Sequence, residues 1–270
     1  MFLLVKPALF AIKPLMASQT QTDFEELLNN TRDDLVSTGS IYQALLRLNE
    51  HLTPLGIRDI IYVYMLHAKS HIRNDYIFLS SFPDELGALF RQDGGGASYM
   101  FGDVLPRLKE PLFWDIEASQ NPDHPFFSYN RANKFIYERG YRDAWLIPMD
   151  MRHLSGYGFM MIFQESRQGA PRLDVEQLSL IGPFYHDLMK KHGLTAGHFM
   201  LSEKQCVVLE GMAEGKTAAD LAAILGIAQR SVELRLKNAR LKLRARTTTE
   251  AVYKARAYGI LPYRPPQGEE

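Results

Sequence analysis

The chain has a single cysteine, Cys206, and no uninterrupted apolar run long enough to span a bilayer. One cysteine excludes a disulfide framework and any metal site built from cysteines alone. We expect Cys206 to be a small core residue rather than a nucleophile. Neither charge sign is in excess, since 31 Lys and Arg balance 31 Asp and Glu. The 270 residues, 46% of them hydrophobic, are enough for two packed domains.

Catalytic and cofactor-binding motifs are missing as well. The glycines at 94–96 do not join a predicted strand to a helix, so they do not form a phosphate-binding loop. His67 and His71 are four residues apart but lack a third ligand, which favours surface histidines over a metal site. No nucleophile elbow and no pair of acid and base carboxylates stands out. The sequence therefore predicts a protein that is not an enzyme and needs no cofactor or metal.

The neutral total conceals a basic C-terminal region. Residues 226–264 carry ten Lys or Arg against two Glu, a net charge of +8, so the remainder of the chain carries −8. A separation of this size points to a polyanion that contacts one end of the chain only. A solvated basic helix is the alternative, and it is disfavoured because the basic residues coincide with a regular helical pattern.

Four short helices are predicted within residues 201–261. Ser202 can N-cap the first helix, Gln205 can complete a capping box, and Gly215 follows its end. The second helix runs from Thr217 to a turn at Gly226, and its predicted buried residues are Leu221, Ile224 and Leu225. A third helix follows at once, and two short helices joined by a glycine-containing turn form a helix-turn-helix.

The third helix, from about Gln229 to Leu243, divides into two stripes at about 100° per residue. One stripe is apolar and must pack on the first two helices: Val232, Leu236, Ala239 and Leu243. The other mixes charged and apolar side chains, as a major-groove reading face does: Arg230, Glu233, Leu234, Lys237 and Leu241. Flanking cations could neutralise phosphates: Arg235, Arg240, Lys242, Arg244 and Arg246. The fourth helix starts at Thr247, capped reciprocally with Glu250, and closes at Gly259.

Residues 201–261 resemble the C-terminal DNA-binding domain of the LuxR family of transcription regulators. The matching positions follow one another without a gap: Leu201-Ser202, Val208-Leu209, Gly215-Lys216-Thr217, Leu221-Ala222, Leu225-Gly226-Ile227, Ser231-Val232, Asn238, Lys242-Leu243, Ala251 and Gly259. The departures are Gln205, where the family usually has Glu, and Arg235, where His or Lys is common. The predicted DNA-binding residues are Lys216, Thr217, Gln229, Arg230, Ser231, Glu233, Leu234, Arg235, Lys237, Arg240 and Lys242.

The part of the chain before residue 192 alternates helices with two pairs of strands. Helices are predicted at 23–36, 40–52, 83–91, 126–139 and 173–191, with a weaker one at 99–108 and a loop at 93–98. Strands are predicted at 57–66, 72–80, 144–149 and 156–164. This order predicts an α+β fold class, with an N-terminal α/β/α sandwich around an antiparallel sheet and a C-terminal all-α four-helix domain.

The predicted domains are a sensory and dimerisation domain at 19–191, a linker at 192–200, the helix-turn-helix domain at 201–263 and a tail at 264–270. Residues 1–18 begin with an apolar and basic stretch, which Lys6, Pro7, Lys13 and Pro14 interrupt. These interruptions disfavour a signal peptide. A disordered extension and a start codon set ahead of Met16 are the two interpretations that remain. We expect the protein to act in the cytoplasm, where its DNA lies.

Aromatic side chains are concentrated beside the predicted sheet: Phe82, Phe90, Tyr99, Phe101, Phe113, Trp114 and Trp145. Most aromatic residues simply fill a core, but this density also suits an apolar ligand pocket. The region from Phe82 to Trp114 resembles the autoinducer-binding domain of the same family. Its acyl-homoserine-lactone receptors carry a Trp and a Tyr four residues apart, then Asp-Pro, then a second Trp.

Most of these lactone-binding residues are changed here. In the ungapped alignment Leu86 and Phe90 replace the first Trp and the Tyr, Tyr99-Met100 replaces Asp-Pro, and Trp114 matches the second Trp. Placing Asp103 at the Asp would require a four-residue gap, so the ungapped alignment is preferred. In the family the first Trp donates to the lactone carbonyl and the Asp accepts from the ligand amide. Leu86 cannot donate, and Tyr99 is neutral and larger than Asp.

The resemblance therefore predicts a regulator of the solo type, which does not respond to a conventional acyl-homoserine lactone. Its predicted ligand would be a small apolar or aromatic molecule, bound by Phe82, Leu86, Phe90, Tyr99, Phe101 and Trp114. The alternative is a ligand-independent regulator or adaptor whose N-terminal domain only dimerises or binds a protein. The expected partners are double-stranded DNA with a two-fold symmetric operator and a second copy of the chain. RNA polymerase is a further candidate, and no membrane is expected.

Overall fold

The computed structural model describes residues 17–65, 76–82, 108–124, 130–149, 157–164 and 172–261. The N-terminal elements are α1 (Ala17–Asn30), α2 (Arg32–Ser37), α3 (Ile41–Leu52), β1 (Ile57–Met65), β2 (Tyr76–Ser80), β3 (Leu112–Asp115), α4 (Asn130–Glu138), β4 (Asp143–Met149), β5 (Tyr157–Gln164) and α5 (Val175–Lys191). The C-terminal elements are α6 (Glu203–Ala213), α7 (Ala218–Leu225), α8 (Gln229–Lys242) and α9 (Thr248–Ala257). This order confirms the predicted α+β fold class.

The five strands form one antiparallel sheet in the order β2-β1-β5-β4-β3. Two hairpin pairs, β1 with β2 and β4 with β5, were expected from the sequence, and β1 joins them by pairing with β5. The register places Tyr62 opposite both Leu79 and Met160. Because side chains alternate along a strand, neighbouring residues of β1 project to opposite faces of the sheet.

Helices cover both faces of the sheet, as the predicted sandwich requires. On one face, strand residues such as Ile60, Tyr62 and Ile162 belong to a core with the apolar sides of α1, α2, α3 and α5. On the other face, Ile61, Trp114 and Phe163 pack in a second core with Ile136 of α4. The second core is rich in aromatic side chains, and we call it the aromatic cluster: Phe82, Trp114, Tyr141, Phe159 and Phe163, with the apolar residues around them.

Helix α5 is the long amphipathic helix that its sequence period predicts. Asp174 caps it by accepting from Gln177 N at 2.8 Å, while Asp174 N donates to Gln177 Oε1 at 3.1 Å. The predicted inner residues are all at most 1% exposed: Leu178, Ile181, Tyr185 and Leu188. The apolar side of α5 is therefore used inside the chain, on the sheet, and is not left free for pairing between copies.

Two details of the N-terminal domain differ from the prediction. The helix expected over 23–36 is divided at Thr31, whose hydroxyl donates to Leu28 O at 2.7 Å. Strand β3 was not predicted, because its four residues gain their order from pairing with β4, which is distant in sequence. The helices expected at 83–91 and 99–108 and the loop at 93–98 lie outside the described residues, except for Leu108.

The segment predicted as a linker, 192–200, is packed against both domains. Leu194 and Thr195 are 8% and 2% exposed. Leu194 O accepts from Ile41 N at 3.3 Å, and Thr195 Oγ1 donates to Tyr258 O at 2.6 Å. The core on the helical face of the sheet continues through this segment into the C-terminal helices.

Candidate DNA-reading face and sensory face

Capping interactions fix the starts of α6 and α7, the two helices on which α8 packs. Ser202 N donates to Gln205 Oε1 at 3.0 Å, as the sequence predicts for the start of α6. Thr217 and Asp220 cap α7 reciprocally, with Thr217 N to Asp220 Oδ2 at 2.8 Å and Asp220 N to Thr217 Oγ1 at 3.2 Å. Gly226 then turns the chain with a φ of +62°, a conformation that glycine adopts without strain.

A glycine lets α6 and α7 approach closely. A Cβ at Gly211 would lie 2.3 Å from Leu221 Cδ2, so no larger residue fits without a shift. Leu221 is buried as predicted, and Leu225 is half-buried, but Ile224 is 63% exposed. The prediction of a buried Ile224 was wrong because α7 packs only through the side that carries Leu221 and Leu225. Ile224 lies beside that side and faces solvent.

Helix α8 has one fully packed side and one free side. The predicted inner residues Val232, Leu236, Ala239 and Leu243 are at most 6% exposed. The opposite stripe, which we call the reading face, is exposed throughout: Arg230, Glu233, Leu234, Lys237 and Leu241. Leu234 and Leu241 are 56% and 68% exposed. Gln229 joins this side by donating to Glu233 Oε1 at 2.9 Å.

The flanking cations are not equivalent. Lys242 Nζ donates to Met200 O at 2.6 Å and to Gln205 Oε1 at 3.0 Å, which ties α8 to the start of α6. Two of the three donors of its ammonium are thus used within the chain, and the phosphate contact expected of Lys242 stays a prediction. Arg235 and Arg240 are half-buried beside the reading face, and Lys216 forms an ion pair with Glu214.

Lys254 is a structural residue of this site that the sequence analysis missed. It is 4% exposed, and its Nζ donates to Leu243 O at 3.1 Å and to Arg244 O at 3.0 Å. These carbonyls close the C-terminal end of α8, where a cation also interacts favourably with the helix dipole. Its i,i+4 spacing from Glu250, whose Oε1 lies 3.5 Å away, was the available signal.

The fourth helix starts as predicted, but its cap differs in one contact. Glu250 N donates to Thr247 Oγ1 at 3.0 Å, as expected for the N-cap. The Glu250 carboxylate, however, accepts from Arg246 N at 2.8 Å instead of from Thr247 N. That hydrogen bond is the main reason why the pKa of Glu250 is lowered.

Two of the predicted ligand-binding residues, Phe82 and Trp114, lie within the described residues, in the aromatic cluster. Phe82 is 2% exposed, and its ring centroid lies 5.0 Å from those of both Tyr141 and Phe163. Trp114 is also 2% exposed, and its Nε1 has no hydrogen-bond partner among the residues described. A buried donor without an acceptor costs free energy, so Trp114 Nε1 is a polar group that a ligand acceptor could satisfy. Leu86, Phe90, Tyr99 and Phe101 lie outside the described residues.

The aromatic residues that the sequence groups together are divided between the two faces of the sheet. Phe113 pairs with Trp145 across β3 and β4, with ring centroids 5.3 Å apart, on the face opposite to Trp114. Phe113 is 46% exposed at the edge strand. Consecutive residues of a strand point to opposite faces, so Phe113 and Trp114 cannot line the same pocket.

A polar group at the margin of the aromatic cluster was also missed by the sequence analysis. The Asp59 carboxylate accepts from Ser81 Oγ at 2.7 Å and from the Tyr141 hydroxyl. Burial raises the pKa of Asp59, while these hydrogen bonds act in the opposite direction. The Tyr141 ring also packs on Phe82, so the network fixes one wall of the cluster.

The described helices give no sign of a membrane span, since none combines the length and apolarity that crossing a bilayer requires. Among the described residues no three His, Cys, Asp or Glu side chains gather as they would around a metal ion.

Comparisons with known proteins agree with the helix-turn-helix geometry. Residues 200–255 match the family described as bacterial regulatory proteins, luxR family. The transcriptional activator protein EsaR of Pantoea stewartii subsp. stewartii is 26% identical over 229 residues, which cover 76% of this chain and 86% of EsaR.

Solved structures with some likeness include two of Escherichia coli SdiA. The structure in space group P6522 gives a TM-score of 0.45 and 17% identity, and the match covers 91% of this chain and 99% of SdiA. The structure in complex with octanoyl-rac-glycerol gives the same TM-score and identity, over 93% of this chain and 100% of SdiA. The N-acylhomoserine-lactone-dependent LuxR-family factor CepR2 of Burkholderia cenocepacia gives a TM-score of 0.41 and 15% identity, over 63% of this chain and 95% of CepR2. The family match and the four C-terminal helices lead to one conclusion: the chain carries a LuxR-type helix-turn-helix domain at residues 200–255.

Proposed function

We propose that the chain regulates transcription by reading a specific DNA half-site with the reading face of α8. The observation that carries this proposal is the free stripe opposite the packed one, in a region of net charge +8. Glu233, Leu234 and Lys237 are assigned to base edges, since carboxylate, apolar and ammonium groups can each distinguish bases in the major groove. Backbone positioning is assigned to the residues around them: Lys216, Thr217, Gln229, Arg230, Ser231, Arg235 and Arg240.

Glu233→Ala tests the base-reading assignment without a change in positive charge. We expect a changed preference at one base position in a selection from random duplexes, because an acceptor for a base amino group is lost. Glu203→Ala, at an exposed carboxylate of α6, is the control and should leave the preferred sequence unchanged. An unchanged preference in Glu233→Ala would contradict the assignment of this face.

The working unit that we propose is a homodimer on a two-fold symmetric site. One helix-turn-helix makes few base contacts, and two half-sites about one helical turn apart restore affinity and specificity. Helix α5 and the end of α9 offer little apolar surface for pairing, because Leu188 and Tyr258, the residue after α9, are each 1% exposed. Tyr253 of α9 and Val207 of α6 remain 44% and 39% exposed on helices that pack together, and these two are the proposed pairing residues.

Sedimentation equilibrium tests the dimer directly. The unchanged protein should sediment as a dimer at micromolar concentration or when bound to a symmetric duplex, and Tyr253→Glu should shift it towards monomer. Tyr157→Glu, at a tyrosine that is 37% exposed on the sheet, is the matched control. Monomer only, with and without DNA, would remove the dimer from the proposal.

A small molecule with an apolar body and one hydrogen-bond acceptor is the proposed ligand of the aromatic cluster. Trp114 Nε1 supplies the donor, and Phe82 supplies part of the apolar wall. A conventional acyl-homoserine lactone is not expected, since the ungapped alignment leaves its carbonyl and amide without partners. Each unsatisfied buried polar group costs about 1–3 kcal/mol, so two such losses weaken binding roughly a hundredfold or more.

Thermal-shift and calorimetric series with lactones of varied acyl length test this specificity. We expect no binding tighter than about 1 μM from any lactone. Tight binding that disappears in Trp114→Ala would show that the pocket accepts the lactone after all. If neither lactones nor aromatic compounds bind, the ligand-independent regulator is the better account of the N-terminal domain.

A further inference from the structure

The C-terminal end of the helix-turn-helix domain is buried against the sensory domain. Residues 257–261 form the end of α9 and the chain directly after it, and we call them the docked segment. They are at most 8% exposed. Two side chains of the N-terminal part of the chain bind its backbone. The Tyr64 hydroxyl donates to Ala257 O at 2.9 Å, and Thr195 Oγ1 donates to Tyr258 O at 2.6 Å.

Ring packing and a glycine bring the two parts into close contact. The Tyr258 ring meets Tyr64 edge-on at 5.6 Å between centroids and lies 4.7 Å from Phe199. Gly259 has a φ of +67°, and a Cβ there would lie 2.6 Å from Lys190 Cα at the end of α5. The docked segment therefore has a defined position, since neither its backbone nor the helix beside it can move without losing these contacts.

The contact does not cover the surface that is proposed to bind DNA. Arg230, Leu234 and Lys237 are exposed while the segment is docked. Docking consequently leaves the reading face available and fixes where it points. An interaction that only blocked DNA binding would be expected to bury part of the reading face.

Strand β1 reaches both the docked segment and the aromatic cluster. Tyr62 and Tyr64 project to the helical face, while Ile61, Val63 and Met65 project into the cluster that contains Trp114. Tyr64 is held from the side by His186, whose ring lies 5.0 Å away and whose Nδ1 is 2.7 Å from the Tyr62 hydroxyl. A shift of β1 caused by a change in the cluster would thus move the hydroxyl that binds Ala257.

We propose that Tyr64 is a positioning residue that holds the helix-turn-helix domain to the sensory sheet and transmits changes in the aromatic cluster to it. The use of this link by a ligand rests on the proposed function. The link itself depends on neither ligand nor DNA, because every contact that forms it lies within the chain.

The chain supplies separate probes for its two domains. Both tryptophans, Trp114 and Trp145, lie in the sheet of the sensory domain, and the single cysteine, Cys206, lies in α6 of the helix-turn-helix domain. Cys206 is half-buried, and burial raises the pKa of its thiol, so alkylation in the folded state is slow. Tryptophan fluorescence therefore reports the sensory domain, and the alkylation rate of Cys206 reports opening of the other domain.

The first test compares two tyrosine hydroxyls on the same strand in the full-length protein. Tyr64→Phe removes the hydroxyl that binds Ala257 and keeps the ring, and we expect Cys206 alkylation without denaturant to become about fivefold faster. Tyr62→Phe is the matched control, since its hydroxyl is equally buried but binds His186 inside the sensory domain. In urea, the Cys206 and tryptophan transitions should coincide for the unchanged protein and for Tyr62→Phe, and separate for Tyr64→Phe.

Thr195→Val removes the second hydrogen bond to the docked segment with little change in shape, and it should speed Cys206 alkylation as Tyr64→Phe does. Wild-type alkylation rates in both variants would overturn the positioning role. An equal acceleration in Tyr62→Phe would also overturn it, because the effect would then be a general loss of stability.

A second test measures transmission along β1. Met65→Ala opens space on the aromatic side of the strand and should speed Cys206 alkylation in the unchanged background. The same substitution should have a smaller effect when combined with Tyr64→Phe, because the link is already weakened. Equal effects in the two backgrounds would refute transmission through Tyr64. Since these experiments contain no DNA and no ligand, their failure leaves the proposed DNA binding untouched, and a failure to bind DNA leaves the link untouched.

Discussion

The two parts of this protein carry their candidate functions on surfaces of opposite kinds. The helix-turn-helix domain presents charged and apolar side chains on an exposed helix face, around Leu234 and Lys237. The sensory domain keeps its candidate groups inside, where Phe82 and Trp114 are each 2% exposed. An exposed site can be changed with little effect on stability, whereas a buried site is part of the core that holds the domain together.

The two sites also differ in the contacts that form them, which are local in the first domain and long-range in the second. The reading face depends on caps and turns within a few residues, such as Thr217 with Asp220 and the turn at Gly226. The aromatic cluster is assembled by strands far apart in sequence, for example by the pairing of Trp114 with Ala144. Substitutions at the reading face should therefore change function with little change in stability. Substitutions in the aromatic cluster should change both.

Trp114→Ala should have the largest effect on stability. Removing a fully buried indole leaves a cavity, and the expected loss is about 3–5 kcal/mol in the free energy of unfolding. Urea unfolding followed by circular dichroism measures it. Trp145→Ala is the matched control on the other face of the sheet, where the side chain is only half-buried, and it should cost clearly less. Equal losses would show that Trp114 is not a central core residue.

Lys254→Met tests the buried lysine that closes α8. Methionine keeps much of the apolar stem, but Leu243 O and Arg244 O lose their charged donor, and we expect a loss of about 2–3 kcal/mol. Cys206 alkylation in urea reports this loss within the same domain. Lys204→Met, at an exposed position of α6, should change little. A variant as stable as the unchanged protein would mean that the cost of burying the charge offsets its hydrogen bonds.

Acidification should weaken the sensory domain through His186. Burial lowers the pKa of His186 to about 3, and the charge of Lys190 on the same helix acts in the same direction. Tyr62 and Tyr64 face the imidazole from β1, and burial raises the pKa of both, so they stay neutral. The unfolded chain binds a proton below pH 6.5 and the folded chain does not, so stability is lost as the pH falls.

The expected loss from this histidine is about 2 kcal/mol between pH 6.5 and pH 5, at about 1.4 kcal/mol for each pH unit. Tryptophan-detected urea unfolding at several pH values measures it. His186→Gln should flatten the slope, and His192→Gln, at an exposed histidine, should not. An unchanged slope in His186→Gln would show that the imidazole is protonated in the folded state.

Leu234→Ala should have the smallest effect on stability and a clear effect on binding. Its side chain is 56% exposed, so the free energy of unfolding should change by less than about 0.5 kcal/mol. DNA affinity, measured by fluorescence anisotropy, should fall because an apolar contact with a base is lost. Leu236→Ala, two residues along and 6% exposed, should instead destabilise the domain. If Leu234→Ala were equally destabilising, the two sides of α8 would be assigned wrongly.

Local sequence rules predicted much of the helix-turn-helix domain. The stripe of Val232, Leu236 and Ala239 follows from helical spacing alone, and the glycines at 215 and 226 mark the turns that the structure contains. Spacing could not show that Lys242 binds Met200 O, because the acceptor is 42 residues away. Ile224 shows the same limit, since a periodic apolar residue is buried only where a neighbouring helix covers it.

The sensory domain was less predictable because its contacts join distant segments. The two strand hairpins follow from local patterns, but β3 depends on pairing with β4, which is distant in sequence, and on the packing of Trp114. Phe113 and Trp114 lie on opposite faces because they are neighbours in β3. Since that strand was not predicted, the density of aromatic residues alone grouped them together. The docking of Tyr258 against Tyr64 joins residues that lie far apart in the chain, and no local pattern in the sequence indicates it.

The most direct test of the account compares Lys237→Ala with Lys242→Ala on the preferred duplex and on random duplexes, by anisotropy at several salt concentrations. Lys237 is free on the reading face, so its loss should reduce the preference for the specific sequence. Lys242 is bound to Met200 O and Gln205 Oε1, so its loss should lower stability and weaken both complexes by the same factor. If the two variants alter specific and random binding alike, the exposed face of α8 does not read DNA.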